Sequence, residues 1–203
     1  MSEANEYLSK RKLSYDEYVA ELKEKYGEAT VDYFSENSYR RLMNNEIKSL
    51  ATARQISRTS EGLYCHHVDE DKQISISSVG YIRAFQIPFD CQRKERLVYC
   101  NLIEHAILHV LIATEHSEPE NNQQLGLSGY AQFIRPELIE RLIDGVVPQA
   151  KWRLDCYEVI KMPKDEAKKI IKGLDNFLIK NNKYVNKRIL KSYELVMKEG
   201  QFI

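Results

Sequence analysis

The sequence has no long apolar run, and this absence excludes one class of protein at the outset. A membrane-spanning helix needs about 20 consecutive apolar residues, and no stretch of the 203 residues approaches that length. The opening residues, MSEANEYLSKRK, also lack the apolar core of a secretory signal peptide. We therefore expect a cytoplasmic protein with no membrane partner.

Cysteine is scarce, and its spacing excludes a second class. Cys65, Cys91, Cys100 and Cys156 include no CxxC pair, which a zinc ribbon requires. In a reducing cytosol we expect these cysteines to be free thiols and not a disulfide framework.

A net charge is also absent, because 30 basic residues balance 30 acidic ones. This balance argues against a strong non-specific grip on nucleic acid. The charges are nevertheless unevenly distributed. Residues 61–150 carry 7 basic and 13 acidic residues, whereas residues 151–203 carry 13 basic and 7 acidic ones. A basic tail next to an acidic middle is compatible with a metal site that receives a phosphate-bearing partner.

Histidine is the residue whose placement is most informative, since four of the five lie between positions 66 and 109. His66 and His67 form a doublet in the β-prone segment EGLYCHHVDE, so we expect them on opposite faces of a strand. His105 and His109 lie in LVYCNLIEHAILHVLI, which predicts the end of a strand followed by a helix. Their i, i+4 spacing places both imidazoles on one helix face. Histidine is the commonest metal ligand and accepts protons near neutral pH.

The order of these elements resembles the HNH endonucleases, also called ββα-metal or His-Me finger nucleases. The string ERLVYCNLIEHAILH is similar to the strand-to-helix signature of that family, and the resemblance covers about 45 residues. It implies an α+β fold with a ββα-metal core between helical flanks. It also implies that His66, His105 and His109 bind one divalent ion and that His67 is the general base. The implied function is a metal-dependent endonuclease that hydrolyses phosphodiester bonds in DNA, bacterial or phage-encoded.

One position departs from the pattern of that family. The resemblance leads us to expect an Asn nine residues before His105, where it would orient the base, and Arg96 stands there. A guanidinium has no hydrogen-bond acceptor, so we expect Arg96 to contact the scissile phosphate. A backbone carbonyl would then orient His67, or Asn101 would enter the site. The alternative is a catalytically inactive HNH-fold protein that binds nucleic acid or a protein partner.

Asn101 has two interpretations. It follows the i, i+4, i+8 series with His105 and His109, so it is a candidate for a further metal ligand. It also directly precedes the predicted helix and is followed three residues later by Glu104, which favours an N-cap in a relaxed capping box.

The donor types limit the choice of metal ion. Three imidazoles suit zinc or nickel better than magnesium, and we expect one divalent ion, with Zn, Ni, Mn and Mg left open. A ligand histidine usually needs a hydrogen-bond partner on its other ring nitrogen. The nearby carboxylates that are candidates for this role, or alternatively form an acidic surface turn, are Asp69, Glu70, Asp71 and Glu104.

Basic side chains outside the motif are candidates for contacts with the nucleic acid, which we expect to be DNA, with RNA as the alternative. A solvated helix face is the commoner explanation for lysines at such spacings. The candidates are Arg54, Arg58, Lys168, Lys169, Lys172, Lys187 and Arg188.

The remaining sequence predicts mostly helices. Ser14 is expected to cap a helix that Gly27 ends, with further helices over 28–36, 39–53 and 136–144 and two in the tail. Residues 72–92 form a long insertion in which ISISSV is strand-like and the rest irregular, and residues 116–130 form a loop. We thus divide the chain into an N-terminal helical region (1–60), the HNH-like core (61–116) and a C-terminal helical region (117–203), together one unit. The oligomeric state is open, with a homodimer among the options.

Overall fold

In the computed structural model, which describes residues 2–116 and 124–192, short helices surround a two-stranded sheet. The helices are α1 (Glu3–Ser9), α2 (Tyr15–Tyr26), α3 (Glu36–Met43), α4 (Val79–Phe85), α5 (Leu102–Glu115), α6 (Arg135–Leu138), α7 (Lys151–Glu158) and α8 (Lys164–Asn181). Residues 187–192 are helical as well. The strands are β1 (Tyr64–His67) and β2 (Leu97–Cys100). This mixture agrees with the predicted α+β class, and none of the described helices is long and apolar enough to cross a membrane.

The sheet places the histidine doublet beside the start of α5. β1 pairs antiparallel with β2, so that His66 lies opposite Val98 and His67 opposite Leu97. The chain then passes from Cys100 through Asn101 directly into α5. Because this turn is a single residue, the position of β1 relative to the first turns of α5 is closely defined.

α5 is the central helix of the main hydrophobic core. Eleven of its fourteen residues are buried, and it packs against α2, α8 and the segment that begins at Gly129. A helix that is apolar on almost all sides has to be enclosed by other elements. α5 therefore provides a rigid support for the two histidines that it carries.

The insertion between the strands differs from its prediction. ISISSV forms no strand, and the part expected to be irregular contains α4. The apolar residues of the insertion, such as Ile76, Ile82 and Ile87, are buried in a second, smaller core together with Phe34 and Tyr39. This core combines side chains from α3, α4 and the irregular segments beside them, so the spacing of the isoleucines does not follow the period of a strand.

The helix predictions had mixed outcomes. α2 begins after a capping box at Ser14 and ends at Gly27, which has a φ of 77°, as predicted. The helix predicted over 28–36 is wrong, because the Tyr33 amide bonds the carbonyl of Gln92 and Phe34 pairs with Thr52 in an isolated bridge. The helix predicted over 39–53 is also wrong, since α3 already ends at Met43.

The C-terminal region is helical over a longer range than predicted. Helical structure begins at Leu127, inside the predicted loop. Two π-helical turns, Gly129–Ile134 and Ile139–Ile143, flank α6. α6 and the second turn together cover residues 135–143, where a helix was predicted over 136–144. Residues 117–123 of the predicted loop lie outside the described residues, as does the tail beyond residue 192.

Candidate metal centre

Three of the four clustered histidines converge on one point. The ligand-capable nitrogens of His66, His105 and His109 all lie within 4.8 Å of one another, and the Nε2 atoms of His105 and His109 are 3.2 Å apart. His66 and His109 are buried and His105 is partly buried. These three residues can therefore hold a metal ion, as the sequence predicted.

A hydrogen bond to Tyr15 on α2 defines the tautomer of His66. The hydroxyl of Tyr15 donates to the carbonyl of Val68 at 2.8 Å and lies 2.9 Å from Nε2 of His66. Its single proton is already used, so both contacts are satisfied only if His66 Nε2–H donates to the hydroxyl oxygen. The lone pair of His66 is then on Nδ1, which is buried and has no hydrogen-bond partner. A buried acceptor nitrogen without a hydrogen-bond partner, beside two other imidazoles, is suited to bind a cation.

A glycine makes room for the ring of His109. A Cβ atom on Gly129 would overlap Cε1 and Nδ1 of that ring. Gly129 begins the first π-helical turn after α5, so the backbone of this turn forms one wall of the site. Neither Gly129 nor Tyr15 stood out in the sequence: a lone glycine has many uses, and Tyr15 had only the spacing of a core residue.

The surroundings keep the imidazoles neutral, which is the state in which they can bind metal. Burial lowers the pKa of His66 well below its ordinary value, and repulsion from His105 and His109 adds to this effect. Burial likewise lowers the pKa of His105. The pKa of His109 falls to about 4 for the same reason, partly offset by a backbone contact from Gly126.

His67 lies outside this cluster and is held by Gln92. The side-chain nitrogen of Gln92 donates to the carbonyl of Ile76 at 3.0 Å, so its oxygen, Oε1, faces His67 Nε2 at 3.1 Å. An amide oxygen only accepts. His67 therefore carries its proton on Nε2 and its lone pair on Nδ1. Burial lowers the pKa of His67 to about 4, against a raising effect of Gln92.

A cleft of about 300 Å³ joins the two parts of the site. His67 lines this cleft together with His105 and His109, although β1 directs His66 and His67 to different sides. Glu70 and Phe133 also line it, and Phe133 is 61 % exposed. The cleft is thus lined by the neutral imidazole of His67 and by two of the three candidate metal ligands.

Arg96 does not take the position expected of a site residue, whereas Asn101 confirms the N-cap interpretation. The Nε and one terminal nitrogen of Arg96 both donate to the carboxylate of Asp69, and Arg96 does not line the cleft. We therefore correct its placement: the guanidinium is in an ion pair and does not take the place of the orienting residue. Asn101 is the N-cap of α5, since its Oδ1 accepts from the amides of Ile103 and Glu104.

Of the four carboxylates that were candidates to support the ligand histidines, Asp69 and Glu104 have other partners. Glu104 completes the capping box of α5 and pairs with Lys25 at 2.7 Å, while Asp69 pairs with Arg96. The outer-shell partner of His66 is instead Tyr15. Glu70 alone approaches the candidate ligands, with its Oε2 3.4 Å from His109 Nε2 and 3.8 Å from His66 Nδ1. Burial raises the pKa of Glu70 to about 7.

The basic residues proposed for nucleic acid are divided between structural and exposed positions. Arg58 bonds Glu61 and the carbonyl of Tyr26 and stacks over the ring of Tyr99, which corrects the expectation that it is available for phosphate. Arg54 is exposed. The remaining candidates, all exposed, are Lys168, Lys169, Lys172, Lys187 and Arg188.

Three of these lysines border a different cleft. Lys168, Lys172 and Lys187 line a space of about 590 Å³ beside α8, whose described lining shares no residue with the histidine cleft. These three lysines therefore belong to a separate surface and not to the cleft that His67, His105 and His109 line.

Comparison of the chain with models of known families, with curated proteins and with solved structures gives no match.

Proposed function

We propose that this chain is a metal-dependent endonuclease of the HNH type that hydrolyses phosphodiester bonds in DNA. The observation that carries the proposal is the convergence of His66, His105 and His109 beside a cleft that a fourth imidazole, His67, also lines. The strand–strand–helix order of β1, β2 and α5 supports it, because the resemblance in sequence falls on these elements.

The three converging histidines would hold the metal ion. A tetrahedral zinc site with nitrogens about 2.0–2.1 Å from the ion separates its ligand atoms by roughly 3.3 Å. The Nε2 atoms of His105 and His109 are 3.2 Å apart, and the three ligand atoms as a group lie within 4.8 Å of one another. The imidazole donors favour zinc or nickel over magnesium. When bound, a divalent ion supplies positive charge that stabilises the phosphate and the departing oxygen.

His67 would be the general base. Its Nδ1 accepts a proton from a water molecule as the water oxygen forms a bond to phosphorus, and the bond from phosphorus to the leaving oxygen breaks. Gln92 holds the Nε2 proton throughout, which keeps the lone pair on Nδ1. The leaving oxygen takes its proton from solvent.

The acceptor supplied by Gln92 bears on the alternative of an inactive HNH-fold protein. That alternative arose because Arg96 stands where an amide was expected. Gln92, four residues earlier, offers an amide oxygen to the same imidazole. This contact favours the enzyme over a protein that only binds nucleic acid or a protein partner.

A plasmid-nicking assay with a panel of divalent ions tests the proposal. We expect wild-type protein to nick supercoiled DNA in the presence of a transition-metal ion. His67→Ala should lower the rate by ~10²–10⁴-fold while metal binding persists. His116→Ala is the matched control, because it removes a histidine outside the cluster. Absence of cleavage with every ion, or full activity of His67→Ala, would contradict the proposal.

A further inference from the structure

The acidic turn after β1 contains a residue with no role in the site described so far. We infer that Glu70 is a fourth protein ligand, which closes a tetrahedral site of three histidines and one carboxylate when no substrate is bound. The inference rests on the metal-binding part of the proposed function and is independent of the nuclease activity.

The distances around Glu70 match those between ligands of one ion. Its Oε2 lies 3.4 Å from His109 Nε2 and 3.8 Å from His66 Nδ1. The His105–His109 separation is 3.2 Å, and ligand atoms of a tetrahedral zinc site are roughly 3.3 Å apart. The carboxylate oxygen therefore lies at a ligand-like separation from two of the three histidines, while the group whose ligand atoms all lie within 4.8 Å of one another consists of the histidines alone.

The tautomer of His66 shows that the contact with Glu70 is no ordinary hydrogen bond. The proton of His66 is on Nε2, where it bonds Tyr15, so Nδ1 presents a lone pair toward Glu70. A lone pair and an ionised carboxylate oxygen repel each other unless a proton or a metal ion lies between them, and at 3.8 Å no hydrogen bond joins these two atoms. A metal ion satisfies both groups at once.

The basic side chains near the acidic turn pair with its other carboxylates and not with Glu70. Asp69 in the same turn pairs with Arg96 and Lys72, and the closest basic side chain to Asp71 is also Lys72. Among the ion pairs of the described residues, Glu70 meets only His66 and His109. A partly buried carboxylate without a lysine or arginine is costly, and coordination to a cation offsets this cost.

A closed tetrahedral site has a consequence for substrate entry. Structural zinc sites are filled by four protein ligands, whereas catalytic sites keep an open position. With Glu70 bound, a phosphate oxygen has to displace the carboxylate before it reaches the ion. Small anions should therefore compete poorly for the metal in the wild-type protein, and removal of the carboxylate should admit them.

Cobalt(II) substitution tests this inference without measuring cleavage, because the visible absorption of cobalt reports its coordination. We expect wild-type protein to bind Co²⁺ with the intense bands of a tetrahedral site, and these bands should not change on addition of inorganic phosphate. Glu70→Gln should bind Co²⁺ at least about tenfold more weakly, the equivalent of ~1.4 kcal/mol. Its spectrum should change with phosphate.

Asp71→Asn is the matched control, since it removes one negative charge from the same turn. It should retain the affinity and the spectrum of wild type. Equal affinity and equal phosphate response in wild type and Glu70→Gln would overturn the role of Glu70 and leave the three-histidine site intact. Failure of the wild-type protein to bind Co²⁺ would overturn both the inference and the proposed metal site.

Discussion

Oε1 of Gln92 accepts a hydrogen bond from Nε2 of His67 at 3.1 Å, across 25 positions of sequence. The insertion between the strands makes this contact, because Gln92 is itself anchored to the carbonyl of Ile76 within the second core. The insertion thus positions the proposed base, since it supplies the amide oxygen that accepts the Nε2 proton of His67.

Gln92→Leu tests this role. The substitution keeps a similar volume but removes the acceptor, so His67 loses the preference for its lone pair on Nδ1. We expect the single-turnover cleavage rate to fall by up to the ~10²–10⁴-fold that general-base assistance contributes, with metal affinity unchanged. Gln55→Leu, at an exposed position, is the control. A rate equal to that of wild type would remove Gln92 from the mechanism.

Tyr15→Phe tests the fixed tautomer of His66. Without the hydroxyl, the Nε2 proton of His66 is unpaired and Nδ1 is no longer the preferred acceptor. We expect metal affinity, measured by isothermal titration calorimetry, to weaken about 10–100-fold. Tyr18→Phe on the same helix is the matched control, because its ring is equally buried. Equal losses in both variants would point to packing instead of the hydrogen bond.

Gly129→Ala tests the wall of the site. The added methyl group overlaps the ring of His109, so either this ring or the π-helical turn has to move. We expect metal affinity to fall by about tenfold or more, because one ligand is displaced by a distance comparable to a bond length. Gly80→Ala in α4 is the control, since its Cβ meets only Ser78 Oγ at 3.9 Å. Metal titration followed by circular dichroism separates loss of affinity from loss of fold.

Arg96→Asn tests the corrected placement of Arg96. The variant loses the ion pair with Asp69, and we expect about 1 kcal/mol lower stability at neutral pH because Arg96 is partly exposed. Cleavage by the variant should be little changed, since Arg96 does not line the cleft. A collapsed cleavage rate with normal folding would return Arg96 to the chemistry.

The stability difference between wild type and Arg96→Asn should depend on pH through the titration of Asp69. Burial alone would raise the pKa of Asp69, but the hydrogen bonds from Arg96 and Lys72 bring it below its ordinary value. A lowered folded-state pKa stabilises the protein above the unfolded pKa of about 3.9. The stability difference between wild type and Arg96→Asn should therefore vanish as the pH falls through the folded pKa. Urea unfolding at several pH values measures it, with Arg93→Asn in an exposed pair as control.

The sequence by itself determined the parts of the site that follow a local period. The i, i+4 spacing placed His105 and His109 on one face of α5, and the residue types at Asn101 and Glu104 defined the start of that helix. Ser14 and Gly27 likewise fixed the ends of α2. In each case the residues interact within one or two helical turns, so their positions in sequence already contain the geometry.

The tertiary structure decided the groups that support and complete the site. Tyr15, Gln92 and Gly129 meet the histidines across separations of 51, 25 and 20 positions, and no period links residues so far apart. The insertion was mispredicted for the same reason, because its isoleucines pack against Phe34 and Tyr39 and not across a sheet. The positions of these side chains depend on packing in a core that forms only on folding. Local strand propensity does not predict that packing.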